Sequence, residues 1–246
     1  MEDNIVNNMT IIIPIVLGNN NNTLFGTEND VLLIYNLFYK FYKSKLNVRW
    51  LKPSILINEE LKIKNINKII IQMTDMIGHN IFKNSNVNFI IIIYFSGHSN
   101  SKGHLKFYNE YVDANTLLIS VNKVLYTFFP SPSHFYFIID SCFSTNFISA
   151  NLNSKYIKKL SFLVSCKENE YSKEIEAVFD DNMFKYKYNT NKIKSHIIVS
   201  IFTLYFVKLI EARGIEDIDM FKNIITDRLW LIISKKYKQT IYYQDL

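Results

Sequence analysis

Runs of nearly unbroken apolar residues alternate along this chain with stretches whose apolar positions recur every three to four residues. The first kind, at 9–17, 89–95, 134–139 and 160–165, reads as strands buried on both faces, as in a parallel sheet covered by helices. A shorter strand is expected near 48–51 and a last one near 240–243. The second kind predicts helices over 28–42, from 58 or 59 to about 81, over 116–128 and over 219–231. In the first of these Val31, Ile34, Leu37, Phe38 and Phe41 share a face behind Thr27 as N-cap. The 197–211 stretch is apolar throughout and reads as a buried helix. Pro14 has no N–H to donate, so the first strand should carry an irregularity or an edge there. A Gly/Asn loop is expected over 18–22 and a small hairpin over 103–112. This alternation predicts a single α/β domain over 9–246, a three-layer sandwich with a mostly parallel sheet, after a short disordered N-terminus at 1–8.

Composition changes that picture little. The 246 residues include only 6 Gly and 4 Pro, and their wealth of Asn, Ile, Lys, Tyr and Phe reads as A+T-rich coding. The same bias inflates Lys, so the net charge of +6 is assigned to a solvated basic surface. No Lys/Arg cluster alternates with aromatics on one face, and no nucleic-acid partner is expected. Two cysteines, Cys142 and Cys166, are too few for a disulfide framework and point to a reducing compartment. The opening MEDNIVNN lacks the basic and apolar regions of a signal peptide. The longest apolar stretch, 197–210, falls short of the roughly 20 residues that span a bilayer. The expectation is a soluble cytoplasmic protein without a membrane partner.

Candidate chemistry sits where two strands end. YFSGHS, at 94–99, presents His98, and IIDSCFS, at 138–144, presents Cys142. Both motifs break into small polar residues at the carboxyl edge of a strand, where ligands bind in open α/β sheets. An imidazole beside a thiol is the minimal apparatus of a cysteine nucleophile, with His98 taking the thiol proton and passing it to the leaving amine. The bland alternatives are a buried thiol packed as a small hydrophobe and a satisfied turn histidine; finding both at strand ends favours the catalytic pair. Free N–H groups at the Cys142 turn and at Gly97 or Ser99 are the candidates to hold an oxyanion. His79, His104, His134 and His196 show no metal-ligand spacing and are read as structural.

These motifs give the chain a resemblance to the caspase-like cysteine peptidases, and among them to the metacaspases. That family places its His in Ser-Gly-His-Gly and its Cys in Asp-Ser-Cys-x-Ser-Gly. Here His98 and Cys142 stand 44 positions apart, close to the spacing of about 50 for this architecture. IVLGNNNNTLFGTENDV at 15–31 resembles the family's opening strand, loop and first helix. LVSCKENEYSKE at 163–174 resembles its fifth-strand segment, and the Phe202-Thr203 pair fits the helix that follows. The likeness spans roughly residues 10 to 210. It implies the caspase-like sandwich and an endopeptidase cutting after Arg or Lys through a thioester. It also implies a specificity pocket made of Asp30, Ser96 and Asp140, since two carboxylates in a narrow cleft favour a guanidinium or ammonium group. Asp30 has a bland alternative as a helix N-terminal acid.

Three departures shape the remaining expectations. Ser99 and Thr145 stand where the family has Gly, and glycine permits positive φ and close backbone approach. They motivate a second reading, a catalytically weak or inactive caspase-like decoy or regulatory module that binds partners. Calcium binding by related metacaspases uses a cluster of Asp, but only Glu110 and Asp113 lie between His98 and Asp140; no cofactor is expected. Cys166 matches a second Cys common in metacaspases and is read as a structural thiol, and Glu174 as a solvated acid. Self-cleavage is expected, if anywhere, at Lys155, Lys158, Lys159 or within 185–194. The last strand either completes its own sheet or pairs across a dimer, and a monomer is expected.

Overall fold

The computed structural model describes residues 9–20, 24–42, 48–77, 87–128, 133–148, 157–178, 196–213 and 228–246. These residues run β1 (Met9–Asn19), α1 (Thr27–Lys40), β2 (Val48–Trp50), β3 (Ser54–Ile57), α2 (Ile63–Ile77), β4 (Val87–Gly97), β5 (Leu105–Lys106) and β6 (Tyr111–Val112). They continue with α3 (Ala114–Phe128), β7 (Ser133–Asp140), β8 (Ile157–Val164), β9 (Glu174–Val178), β10 (His196–Ser200), α4 (Ile201–Arg213), α5 (Arg228–Tyr237) and β11 (Tyr242–Asp245). Residues 1–8 and 185–194, singled out in the sequence, lie outside this set.

Seven strands form the central sheet in the order β11-β8-β7-β4-β1-β2, with β3 also against β1. All its pairings are parallel except β11 on β8. Alternate residues of each strand feed two separate cores, as the period of two requires. On one face Ile13, Ile93, Phe137 and Phe162 pack with Ile70 of α2 and Leu117 of α3. On the other, Val16, Tyr94, Tyr136 and Leu163 pack with Phe38 of α1 and Phe206 of α4. Burying a side chain such as Phe137 or Phe206 contributes about 1.5–3 kcal/mol over leaving it in water. The result is the expected three-layer α/β sandwich with a mostly parallel sheet. Among the described residues no helix is long and apolar enough to cross a membrane.

Pro14 shows how the sheet tolerates an imino acid in a central strand. The carbonyl of Ile12 accepts from the N–H of Leu51 on the β2/β3 side. Two residues on, the nitrogen of Pro14 faces the same side. There the partner is broken: β2 pairs only as far as Ile12 and β3 begins opposite Ile15. The missing donor falls in the gap between the two.

Several elements differ from expectation for identifiable reasons. Asn58 adopts a φ of 51°, so Asn58–Glu60 forms a 3₁₀ turn and α2 starts only at Ile63. The stretch read as one helix over 197–211 divides at Ser200. Ile197, Ile198 and Val199 pair in β10 with β9, and the helix is α4. Period alone cannot separate an apolar strand from a buried helix, but three consecutive β-branched residues lean toward strand. Thr27 is not the N-cap of α1. It is the first helical residue, and the capping position belongs to Gly26, whose N–H is taken by Glu174 Oε1 at 2.7 Å. β3 and β9 were not anticipated. The last strand completes the sheet on β8.

Candidate active site

Strands β4 and β7 are neighbours whose register pairs Ser96 with Asp140. His98 and Cys142 therefore each lie two residues past the same rung, on adjacent strand ends. Gly97 has φ 151°, and a Cβ there would sit 2.7 Å from the carbonyl oxygen of Asn19, so only glycine lets β4 leave the sheet against β1. Just beyond, the carbonyl of His98 accepts from the N–H of Lys106 at 2.8 Å. The Lys106 carbonyl in turn accepts from Asn19 Nδ2 at 2.9 Å. The backbone carrying the imidazole is thus held from both sides.

The Cys142 turn is tighter. Phe143 is in the left-handed region at φ 53°, a costly conformation for an aromatic residue. It is held by its own N–H, which donates to the Glu170 carbonyl at 3.0 Å, and by edge-on contact with the Tyr171 ring at 5.0 Å. The Ser144 hydroxyl accepts from the Cys166 N–H at 2.9 Å and donates to the Cys166 carbonyl at 3.1 Å. Thr145 N–H reaches the same carbonyl at 3.1 Å. Residues 166–171 therefore form the outer support of the Cys142 turn. The two turns also dock on each other: the Ser99 hydroxyl donates to the Cys142 carbonyl, and Asn146 Nδ2 donates to the Ser101 carbonyl at 2.8 Å.

Neither replaced glycine is needed for its backbone. Among the described residues the non-glycine positions with positive φ are Asn58, Phe143 and Lys238, so Ser99 and Thr145 sit in ordinary conformations. The Thr145 hydroxyl is buried without a hydrogen-bond partner, and so is that of Ser141.

Burial sets the resting protonation of the pair. The half-buried Cys142 thiol is pushed up from its ordinary value by burial and by Asp140, against the N–H groups of Ser172 and Cys142 itself. Burial also pushes the His98 imidazole down. Both shifts favour neutral groups at pH 7, a protonated thiol and an uncharged imidazole.

Asp30 and Asp140 lie beneath this edge, 1% and 2% exposed. Asp30 accepts from the Ser96 hydroxyl and from the Ser200 N–H, both at 2.8 Å. Asp140 accepts from the hydroxyls of Ser172 and Thr203, both at 2.7 Å, and the Thr203 hydroxyl also meets Tyr94 Oη at 2.5 Å. Burial pushes both carboxyls up, and for Asp30 the charge of Asp140 adds to it. The sequence-derived trio of Asp30, Ser96 and Asp140 is therefore one cluster. Ser172, Ser200 and Thr203 complete it. Of these Thr203 was marked by its Phe-Thr pair and Ser172 by the 163–174 motif, while Ser200 contributes a backbone N–H that no side-chain pattern betrays. Asp30 is also an acid of the first turn of α1, as its bland alternative had it, while its carboxyl accepts from Ser96 and Ser200.

Other expectations resolve as follows. Cys166 is fully buried, and burial pushes its thiol far up. Glu174 is half-buried with a carboxyl pushed up, first by burial, so it is not a solvated acid. His134 stacks near Tyr136 at 4.2 Å and its Nε2 meets Ser161 Oγ at 3.2 Å; His104 lies in the turn capped by Asn100, and His79 and the His196 side chain lie outside the described residues. Lys158 and Lys159 belong to β8, where Lys159 stands opposite His134 of β7 and Lys158 falls at an irregularity of that register, while β11 pairs only from Ser161 on; Lys155 and 185–194 lie outside the described residues. The acids between the two turns have other roles or positions. Asp113 caps α3, accepting from the N–H and hydroxyl of Thr116 at 2.8 and 2.9 Å, and Glu110 is exposed. Among the described residues no three His, Cys, Asp or Glu are grouped to hold a metal ion.

A family model described as the caspase domain matches residues 11–218. Among solved structures, the crystal structure of caspase-1 from Spodoptera frugiperda is similar at 13% identity and a TM-score of 0.46, with 98% of this chain and 86% of that chain covered. No curated protein sequence matches.

Proposed function

The chain belongs to the caspase-domain family, whose members are cysteine peptidases acting on polypeptides, and from that membership we propose that it is an endopeptidase cutting after Arg or Lys. Cys142 is the nucleophile and His98 the base. In the first half-reaction Cys142 Sγ attacks the scissile carbonyl while His98 takes the thiol proton and hands it to the leaving amine, giving a thioester. In the second, His98 activates water, which hydrolyses the thioester and restores the thiol. Asp30 and Asp140 are the counter-charges for the basic side chain, with Ser96 on the wall.

The observation that carries this reading is the Ser96–Asp140 rung. It sets one side chain of the acidic cluster and its wall at the same level, with the imidazole and the thiol each two residues beyond. The acidic pair is covered in this state by Ser172 and by the start of α4, so a basic side chain has to displace that cover. This closure favours a second reading, a caspase-like module that binds partners without cutting them.

Hydrolysis of fluorogenic peptides ending in Arg, Lys or Asp separates the two. Cleavage after Arg and Lys but not Asp, absent in Cys142→Ala, is the expected result. Folded protein that cleaves no peptide, and whose Cys142 escapes an Arg-bearing acyloxymethyl ketone, would establish the binding module instead.

A further inference from the structure

The helix terminus that carries Asp30 also walls a second pocket. It is open, with a volume of about 750 Å³, and is lined by Phe25, Asn29, Glu174, Glu176, Ile197 and Ile198. Phe25 is 72% exposed, which leaves its ring open to a ligand. Residues that line the pocket also contact the surroundings of the acidic cluster. Glu174 lines it while holding the Gly26 N–H, and its carboxyl feels the charge of Asp140. Asn29 Nδ2 donates to the Ile198 carbonyl at 2.6 Å, and two residues on Ser200 donates to Asp30. In the β9–β10 register Glu176 stands opposite Ile198 and Glu174 opposite Ser200. One wall thus runs from the buried pair to the pocket, carrying carboxylates along its length.

An exposed aromatic face, two carboxylates and isoleucine side chains are the chemistry that receives a long basic side chain. The ring takes the cationic head face-on, the carboxylates accept its N–H groups, and the aliphatic stem lies on isoleucine. The same carboxylates repel a phosphate or an acidic peptide. Resting on the assignment of Asp30 and Asp140 as the primary pocket, we propose that this second pocket binds a further Arg or Lys of the same polypeptide, so that the substrate is a dibasic segment rather than any chain with one basic residue.

Binding to the Cys142→Ala protein tests this without relying on turnover. Fluorescently labelled peptides would carry one Arg, that Arg with a second Arg placed at each nearby position in turn, or no basic residue, and be titrated at fixed salt. The expected result is a gain of about tenfold for one placement of the second Arg, as one cation–π or charge-assisted contact supplies. The gain should fall below about twofold in Phe25→Ala and Glu176→Gln, with affinity for the single-Arg peptide unchanged. Equal affinity for single- and double-Arg peptides would overturn the second pocket and leave the primary one standing. So would a gain that survives both substitutions, since generic attraction to an acidic surface explains it. Single-Arg peptides binding no better than neutral ones would overturn the primary pocket, and the second with it.

Discussion

The hydroxyl of Ser99 donates to the main-chain carbonyl of Cys142, joining the turn that bears the imidazole to the turn that bears the thiol. A glycine at position 99 would have no such group. The bond therefore gives a structural purpose to a residue that, from sequence alone, looked like a loss. Because Ser99 is not in the positive-φ region, removing its side chain does not relax the backbone.

Ser99→Ala and Ser99→Gly should both lower kcat for an Arg peptide, by about tenfold, since small displacements of reacting groups are expensive. KM should hold, because the acidic cluster does not change. Increased kcat in Ser99→Gly would show that the family's glycine is the better residue and that the tether is incidental.

The resting pair should titrate as neutral groups. With the imidazole pushed down, the acid limb of kcat/KM should have its midpoint below the ordinary histidine value of about 6.5. With the thiol pushed up, alkylation of the resting protein should keep rising beyond pH 8.5, the ordinary cysteine value being about that. A plateau in alkylation rate near neutral pH would reveal a thiolate–imidazolium pair instead. Cys166 should stay unlabelled throughout, being fully buried with its thiol pushed up.

If the proposed pocket is right, the buried pair Asp30 and Asp140 should tie specificity to stability. Asp30 holds its proton to higher pH in the folded chain than in the unfolded one. Stability is therefore unaffected by this group below the ordinary carboxylate value and declines as pH rises toward the folded value. Asp30→Asn removes that decline while Asn Oδ1 can still accept the Ser200 N–H. The variant should match wild type in Tm near pH 3.5, exceed it at pH 7, and lose about a hundredfold in kcat/KM for Arg peptides by removing a charge-assisted partner from a low-dielectric site. Urea or thermal melts across pH would check the first part. A Tm below wild type at pH 7 would mean that a cation or a second proton already compensates the pair.

Much of this was legible because the strands are saturated. Parallel strands covered on both faces leave an apolar signature, and 89–95 and 134–139 placed β4 and β7 within a few residues of their observed spans. Their polar breaks then located His98, Cys142, Ser96 and Asp140 at the right edge. What stayed hidden depends on contacts across long separations. Nothing local in EIEAV, with its two acids, shows a strand, because β9 exists only by pairing with β10. Ile197–Val199 read as helix because apolar residues without a polar phase carry no period. Nor could Gly26 be seen as the capping position, since its acceptor, Glu174, is 148 residues away.

That same dependence on distant contacts governs the support of the Cys142 turn. Glu170, whose carbonyl holds the Phe143 N–H, is itself gripped by the C-terminal segment: its carboxylate accepts from the Thr240 N–H at 2.7 Å and hydroxyl at 2.8 Å. Buried Gln239 adds two bonds, donating to the Ser165 carbonyl at 3.1 Å and accepting from the Lys173 N–H at 3.2 Å. Residues 239–240 thus brace both ends of the loop that keeps Phe143 in its strained conformation. Gln239→Ala leaves the Ser165 carbonyl and the Lys173 N–H without their partner, so it should lower Tm as well as kcat. Thr240→Val is the cleaner probe, since it keeps the N–H and deletes only the hydroxyl bond. It should leave Tm within a few degrees of wild type yet reduce kcat several-fold, with KM for Arg peptides little changed. Burial alone would raise the Glu170 carboxyl, but the Thr240 bonds, together with the N–H and charge of Lys167, hold it below the ordinary range. The grip therefore stabilises above the ordinary carboxylate value and loosens as pH falls through the lowered one, and Thr240→Val should make the acid loss of activity begin at higher pH. Unchanged kcat and an unchanged acid limb in Thr240→Val would show that the C-terminal strand completes the sheet and does nothing more.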